Sequence, residues 1–135
     1  LYQADILKRE RRGKMHFYSL NEEGSITRQF KVLNIILNLD PLIKKLKPLC
    51  RIIILYGSCS QGTDDSQSDI DLLIVTLEEE KVREVVGNLR FPREIRVTFK
   101  TPSQWLELES KDPTFYDEVL RGRALWEKPI DESKL

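Results

Sequence analysis

Histidine, cysteine and long apolar runs are all scarce in this sequence. With one histidine and two cysteines among 135 residues, no spacing suits a zinc site and no disulfide framework is indicated. His16 has no Cys, His or Asp-rich neighbourhood and reads as a strand residue, while Cys50 and Cys59 read as free thiols. No stretch approaches the roughly 20 apolar residues of a membrane-spanning helix, and the opening residues carry no signal-peptide pattern, which points to the cytoplasm. One-sided charge is missing as well: 22 basic residues balance 22 acidic ones, so no basic surface is expected to extend over the whole chain. Internal repeats and low-complexity tracts are absent too. What remains is 40% hydrophobic, enough for one compact domain with a real core and too little for two.

The most informative stretch joins two apolar runs. Arg51 to Tyr56 reads Arg-Ile-Ile-Ile-Leu-Tyr, a short β-branched run of the kind that fills a buried strand. It stops at Gly57, where a missing side chain lets the backbone turn sharply and approach a ligand. Ser58 then opens a short helix whose unpaired N–H groups favour phosphate. After ten intervening residues stand Asp69 and Asp71, followed by Leu72-Leu73-Ile74-Val75. Residues two apart in a strand point to one face, so the two carboxylates aim together. Like charges so placed resist joint ionisation unless a cation lies between them, and hard oxygen ligands suit Mg²⁺ carrying nucleotide phosphates.

Either half of this pattern is common as an ordinary turn or a polar strand start. Together, Tyr56-Gly57-Ser58, Gly62, the polar loop Thr63 to Ser68 and Ser68-Asp69-Ile70-Asp71 with its apolar continuation resemble the signature of the DNA polymerase β-like nucleotidyltransferase superfamily, in its minimal nucleotidyltransferase branch. The resemblance is strong over about residues 51–76 and continues by pattern to about residue 127. It implies an α/β (α+β) fold with a small mixed β-sheet and helices packed on one face. It also implies Mg²⁺-dependent transfer of a nucleoside monophosphate from a nucleoside triphosphate, ATP being the expected donor, to a hydroxyl of a protein or small molecule. Minimal members acting as antitoxins modify a partner toxin in this way. By the same resemblance, Gly57 and Ser58 hold the nucleotide, and Asp69 and Asp71 are the catalytic, metal-holding carboxylates.

The third carboxylate of the family should stand on the next strand, Glu94 to Lys100. Counting back from Thr101-Pro102 places it at Arg96. Arginine repels a second cation but can neutralise a phosphate, so Arg96 becomes a candidate phosphate contact. Glu94 lies on the same strand face, two residues or about 7 Å too early. Cys59 is a further departure, because the position after Gly-Ser is often basic in relatives. A degenerate domain that binds nucleotide or a partner without catalysis is therefore the alternative to an active enzyme.

Ahead of this domain, Ile6 to Arg11 and Lys14 to Leu20 flank Arg12-Gly13 as in a β-hairpin. The segment Leu7 to Asn21 resembles the wing of a winged helix-turn-helix domain, without the recognition helix that should precede it. Lys8, Arg9, Arg11, Arg12 and Lys14 are candidate contacts to a DNA backbone, against the plainer reading of a charged, solvated edge. The chain divides accordingly into a basic hairpin, 1–24, and a nucleotidyltransferase-like domain with leading helices, 25–135. An in-frame helix-turn-helix upstream of Leu1 would favour a further reading, a transcription regulator whose wing contacts DNA while the nucleotidyltransferase-like domain senses a nucleotide.

The remaining pattern is helical. Ile26, Phe30, Leu33 and Ile36 or Leu37 recur at helical spacing behind Ser25 or Thr27 as cap, a stripe expected to pack on the sheet, with a homodimer as the other use. Asp40-Pro41 reads as the start of a second helix that Pro48 stops. Further helices are expected over Glu78 to Leu89, from Pro102 and from Pro113, and a last strand over Arg123 to Glu127. Trp105, Phe115, Tyr116 and Trp126 are expected in the core or a dimer seam.

Overall fold

Beta-branched and apolar residues dominate the two central strands on both faces, and this decides the architecture. The computed structural model describes residues 7–20 and 24–129. Its elements run β1 (Leu7–Arg12), β2 (Met15–Leu20), α1 (Ser25–Leu46), β3 (Ile52–Tyr56), α2 (Ser58–Gln61), β4 (Ile70–Val75), α3 (Glu79–Gly87), β5 (Ile95–Lys100), α4 (Pro102–Lys111), α5 (Pro113–Leu120) and β6 (Arg123–Glu127). β1 and β2 form a two-stranded antiparallel hairpin, and the other strands form a four-stranded sheet in the order β5-β4-β3-β6. β3 pairs antiparallel with β4 and β6, while β4 pairs parallel with β5. The sheet is therefore mixed, as the resemblance implied.

Helices cover both faces of that sheet, not one. Ile53 and Leu55 of β3 and Ile70, Leu72 and Ile74 of β4 meet Ile35, Leu39, Leu42, Ile43 and Leu46 of α1 and Val82 of α3. Ile54, Tyr56, Leu73 and Val75, which alternate with them, meet Val119 of α5, with Trp105 and Phe115 beside it. A strand apolar on both sides must have both sides covered, or its alternate residues would stay in water. Trp126 packs against the first layer, and its indole N–H donates to the Cys50 carbonyl at 3.2 Å.

Three local expectations are corrected. The stretch read as two helices is one helix of 22 residues with Pro41 inside it. Proline removes the N–H that would reach the Leu37 carbonyl, but Leu37 and Pro41 lie on the exposed side, where water can serve that carbonyl. Meanwhile Ile35, Leu39, Leu42, Ile43 and Leu46 anchor both halves to the sheet. The buried stripe also differs from the expected one: Ile26, Phe30, Leu33 and Leu37 are exposed, and Ile36 is only partly buried. The helix is apolar on two faces, and the sheet takes the other one. Finally, neither Ser25 nor Thr27 caps α1, since Gly24 is its N-cap and no side chain bonds there.

Candidate nucleotide-binding site

The turn after β3 is built on a backbone that only glycine tolerates comfortably. Gly57 has φ 75° and ψ −161°, outside the regions open to other residues. A Cβ placed on it would lie 2.8 Å from Asp71 Oδ2. The turn and the acidic strand therefore meet in space, as the register requires, with Tyr56 directly opposite Asp71. Ser58 opens the four-residue α2. Ser60 fixes the turn from within, its N–H and hydroxyl donating to the Gly57 carbonyl at 3.1 and 2.7 Å. Gly62 ends α2 in the left-handed conformation, φ 72°, and a Cβ there would collide with the Arg28 backbone of α1.

Asp69 and Asp71 reach one common partner, and it is the side chain that stands where a third acid was expected. In the parallel pairing Asp71 faces Arg96. The Arg96 guanidinium lies 3.1 Å from Asp69 Oδ2 and 3.1 Å from Asp71 Oδ1. Both acids are partly buried, whereas Arg96 is 61% exposed. Asp71 first, and then Asp69, holds the guanidinium pKa above its ordinary value, as opposite charges at this range must. Glu94 does not take the third position: it is exposed, precedes β5, and its carbonyl accepts from the Ile70 N–H at 2.8 Å.

Behind the turn lies a second charged cluster that sequence reasoning missed. The Arg93 guanidinium donates to Asp64 Oδ2 at 2.8 Å, to the Ser68 carbonyl at 2.8 Å and to Cys59 Sγ at 3.0 Å. Cys59 Sγ in turn donates to the Asp69 carbonyl at 3.3 Å, and Lys31 Nζ donates to the Asp64 carbonyl. Asp64 is buried, its side chain 2% exposed. This network ties α2, the loop carrying Asp64 to Ser68 and the approach to β5 into one unit. Burial, followed by the charge of Asp64, raises the Cys59 thiol pKa above its ordinary value of 9.0, so the thiol stays protonated. Only one signal could have found the cluster, namely a charged loop residue followed far downstream by a basic one just before a strand.

On the α5 side a cleft of about 490 Å³ is lined by Tyr56, Asp71, Arg96, Val97, Thr98, Phe115 and Glu118. The Tyr56 hydroxyl and Thr98 Oγ1 are 3.1 Å apart, and burial raises the tyrosine pKa. The Phe115 ring stands edge-on to Tyr56, with centroids 5.6 Å apart.

A sequence profile of the family described as "Polymerase beta, Nucleotidyltransferase" matches residues 38–131, more than half of the chain. The chain belongs to this nucleotidyltransferase family. No curated protein matches it. Within the matched span lie all the residues of the turn, the acidic pair and Arg96. The hairpin lies outside it. There, Lys8, Arg9, Arg11, Arg12 and Lys14 are all exposed, and Arg12 pairs with Glu10 at 3.3 Å. Among the described residues no helix is long and apolar enough to cross a membrane.

The acidic pair has the chemistry to hold one divalent ion, whereas the three carboxylates that the resemblance implied would hold two. Mg²⁺ is commonly held by one or two carboxylates, with water and substrate phosphates completing its shell. Asp69 and Asp71 meet that need. A second ion requires a third acid, and among the described residues no group of three or more His, Cys, Asp or Glu side chains is arranged to hold a metal.

Proposed function

We propose that this nucleotidyltransferase-family domain binds a magnesium–nucleoside triphosphate, ATP being the expected one, and does not transfer its nucleotidyl group. The phosphates would lie against the Gly57–Ser58 turn, and one Mg²⁺ on Asp69 and Asp71 would neutralise them. The observation that carries this reading is the Arg96 guanidinium, 3.1 Å from both acids, in place of the third carboxylate. Without that acid, no group of carboxylates among the described residues is arranged to hold the ion that would activate an attacking hydroxyl in the two-metal scheme. Thermal denaturation with and without Mg²⁺-ATP tests the binding. A rise in melting temperature that the joint replacement Asp69→Asn and Asp71→Asn abolishes is expected. No labelled AMP should become covalently attached to this protein or to components of a cell extract, and such attachment would overturn the reading.

A transferase is the second reading, and Glu118 favours it. This carboxylate lines the same cleft as Asp71 and Arg96, where it could act as a base without a second ion. The acceptor hydroxyl oxygen would then attack the α-phosphorus, pyrophosphate would leave, and the hydroxyl proton would pass to Glu118. Covalent AMP that appears with the native chain and falls sharply in Glu118→Gln would decide for it.

A further inference from the structure

We propose that Arg96 is a resident counter-cation which keeps free divalent ions off Asp69 and Asp71. The inference rests on reading that pair as the ion site. Two carboxylates converging on one face should repel each other and attract any divalent cation nearby. Here one guanidinium bridges them, Nε and Nη2 both standing 3.1 Å from Asp71 Oδ1 and Nε also 3.1 Å from Asp69 Oδ2. The planar fork suits such bridging, whereas a lysine ammonium would act as a point charge. An approaching ion therefore meets a pair whose charge is half compensated and of which Asp69 Oδ2 and Asp71 Oδ1 are already engaged. It must displace Arg96 before it can bind.

The same geometry makes the barrier removable. Arg96 is the exposed member of the trio and lies along the cleft shared with Tyr56, Thr98 and Glu118. A polyphosphate arriving at the Gly57 turn offers the guanidinium an alternative bidentate partner. It also brings the oxygens that two carboxylates alone cannot supply to a divalent ion. Ion binding at this site is thereby made conditional on phosphate, unlike at a three-carboxylate site, which would attract the ion by itself.

Titration of the chain with Mn²⁺ alone, followed by loss of the free-ion paramagnetic signal, tests this without nucleotide. The native chain is expected to show no binding that depends on the acidic pair. Arg96→Ala should bind Mn²⁺ at least about tenfold more tightly than the native chain, and adding Asp69→Asn and Asp71→Asn to it should abolish the gain. Arg96→Lys, which keeps the charge but not the planar fork, serves as a second variant and should show a gain smaller than that of Arg96→Ala. Native-chain binding lost on replacing the two acids would overturn the inference. So would the absence of any gain in Arg96→Ala, provided that circular dichroism shows the native fold. Because no nucleotide enters this titration, its failure is separate from failure of the Mg²⁺-ATP measurement. An Arg96→Ala gain alongside no response to ATP would leave the counter-cation standing and remove only the nucleotide reading.

Discussion

Arg93 and Arg96 stand three residues apart, the one bonded to Asp64 of the loop after α2 and the other to Asp69 and Asp71 at the start of β4, yet their surroundings make them opposites. Arg93 is 16% exposed and satisfied by a carboxylate, a carbonyl and a thiol, with Asp64 sealed beneath it. Arg96 is 61% exposed over two acids that water also reaches. Breaking a buried pair leaves a charge stranded, whereas an exposed pair contributes little to stability. The first arginine holds the site in shape. The second is displaceable, which a structural ion pair should not be.

The largest effect is expected from Arg93→Ala, which leaves the buried Asp64 carboxylate only the longer 3.8 Å ion pair to Lys31 and releases both Cys59 and Ser68. Urea denaturation should report a loss of about 3–5 kcal/mol, and a loss below about 1 kcal/mol would erase the contrast between the two arginines. Gly57→Ala comes next, at about 1–3 kcal/mol for the backbone conformation. Its added methyl would also press on Asp71 Oδ2, so any ATP-dependent rise in melting temperature should disappear with it. Arg96→Ala should leave the melting temperature nearly unchanged at neutral pH. One molar salt should likewise spare the Arg93 cluster while weakening the Arg96 bridge.

The smallest effect concerns a thiol outside both clusters. Burial pushes the Cys50 pKa up from 9.0 to about 11, so the folded state keeps a proton that the unfolded chain loses. The stability this contributes is fully present below about pH 9 and is lost as pH rises toward about 11. The stability gap between the native chain and Cys50→Ala, followed by thermal denaturation, should accordingly narrow across that window. A constant gap would show that Cys50 does not titrate there.

The parts of the site that follow from local rules were readable in advance. An apolar run ending at Gly57, a helix opening at Ser58 and two acids on one strand face follow from chain geometry, and they meet as those rules require. Counting back from Thr101-Pro102 also led to Arg96, and the β4–β5 register places it opposite Asp71. The Arg93 cluster escaped because its partners lie 25 to 34 positions away, with no period to reveal them. The face of α1 was misjudged for a different reason. Both of its stripes are apolar, and periodicity cannot tell which one a sheet will choose. Helices on the second side of the sheet were implicit in Ile54, Tyr56, Leu73 and Val75, which alternate with the residues of the first layer.

Gly62 leaves no room for even one carbon between its own backbone and that of Arg28. The first turns of the long helix and the end of α2 thus form a seam without slack. The Arg28 turn of that helix cannot press closer without displacing Gly62 and the short helix α2 that it ends.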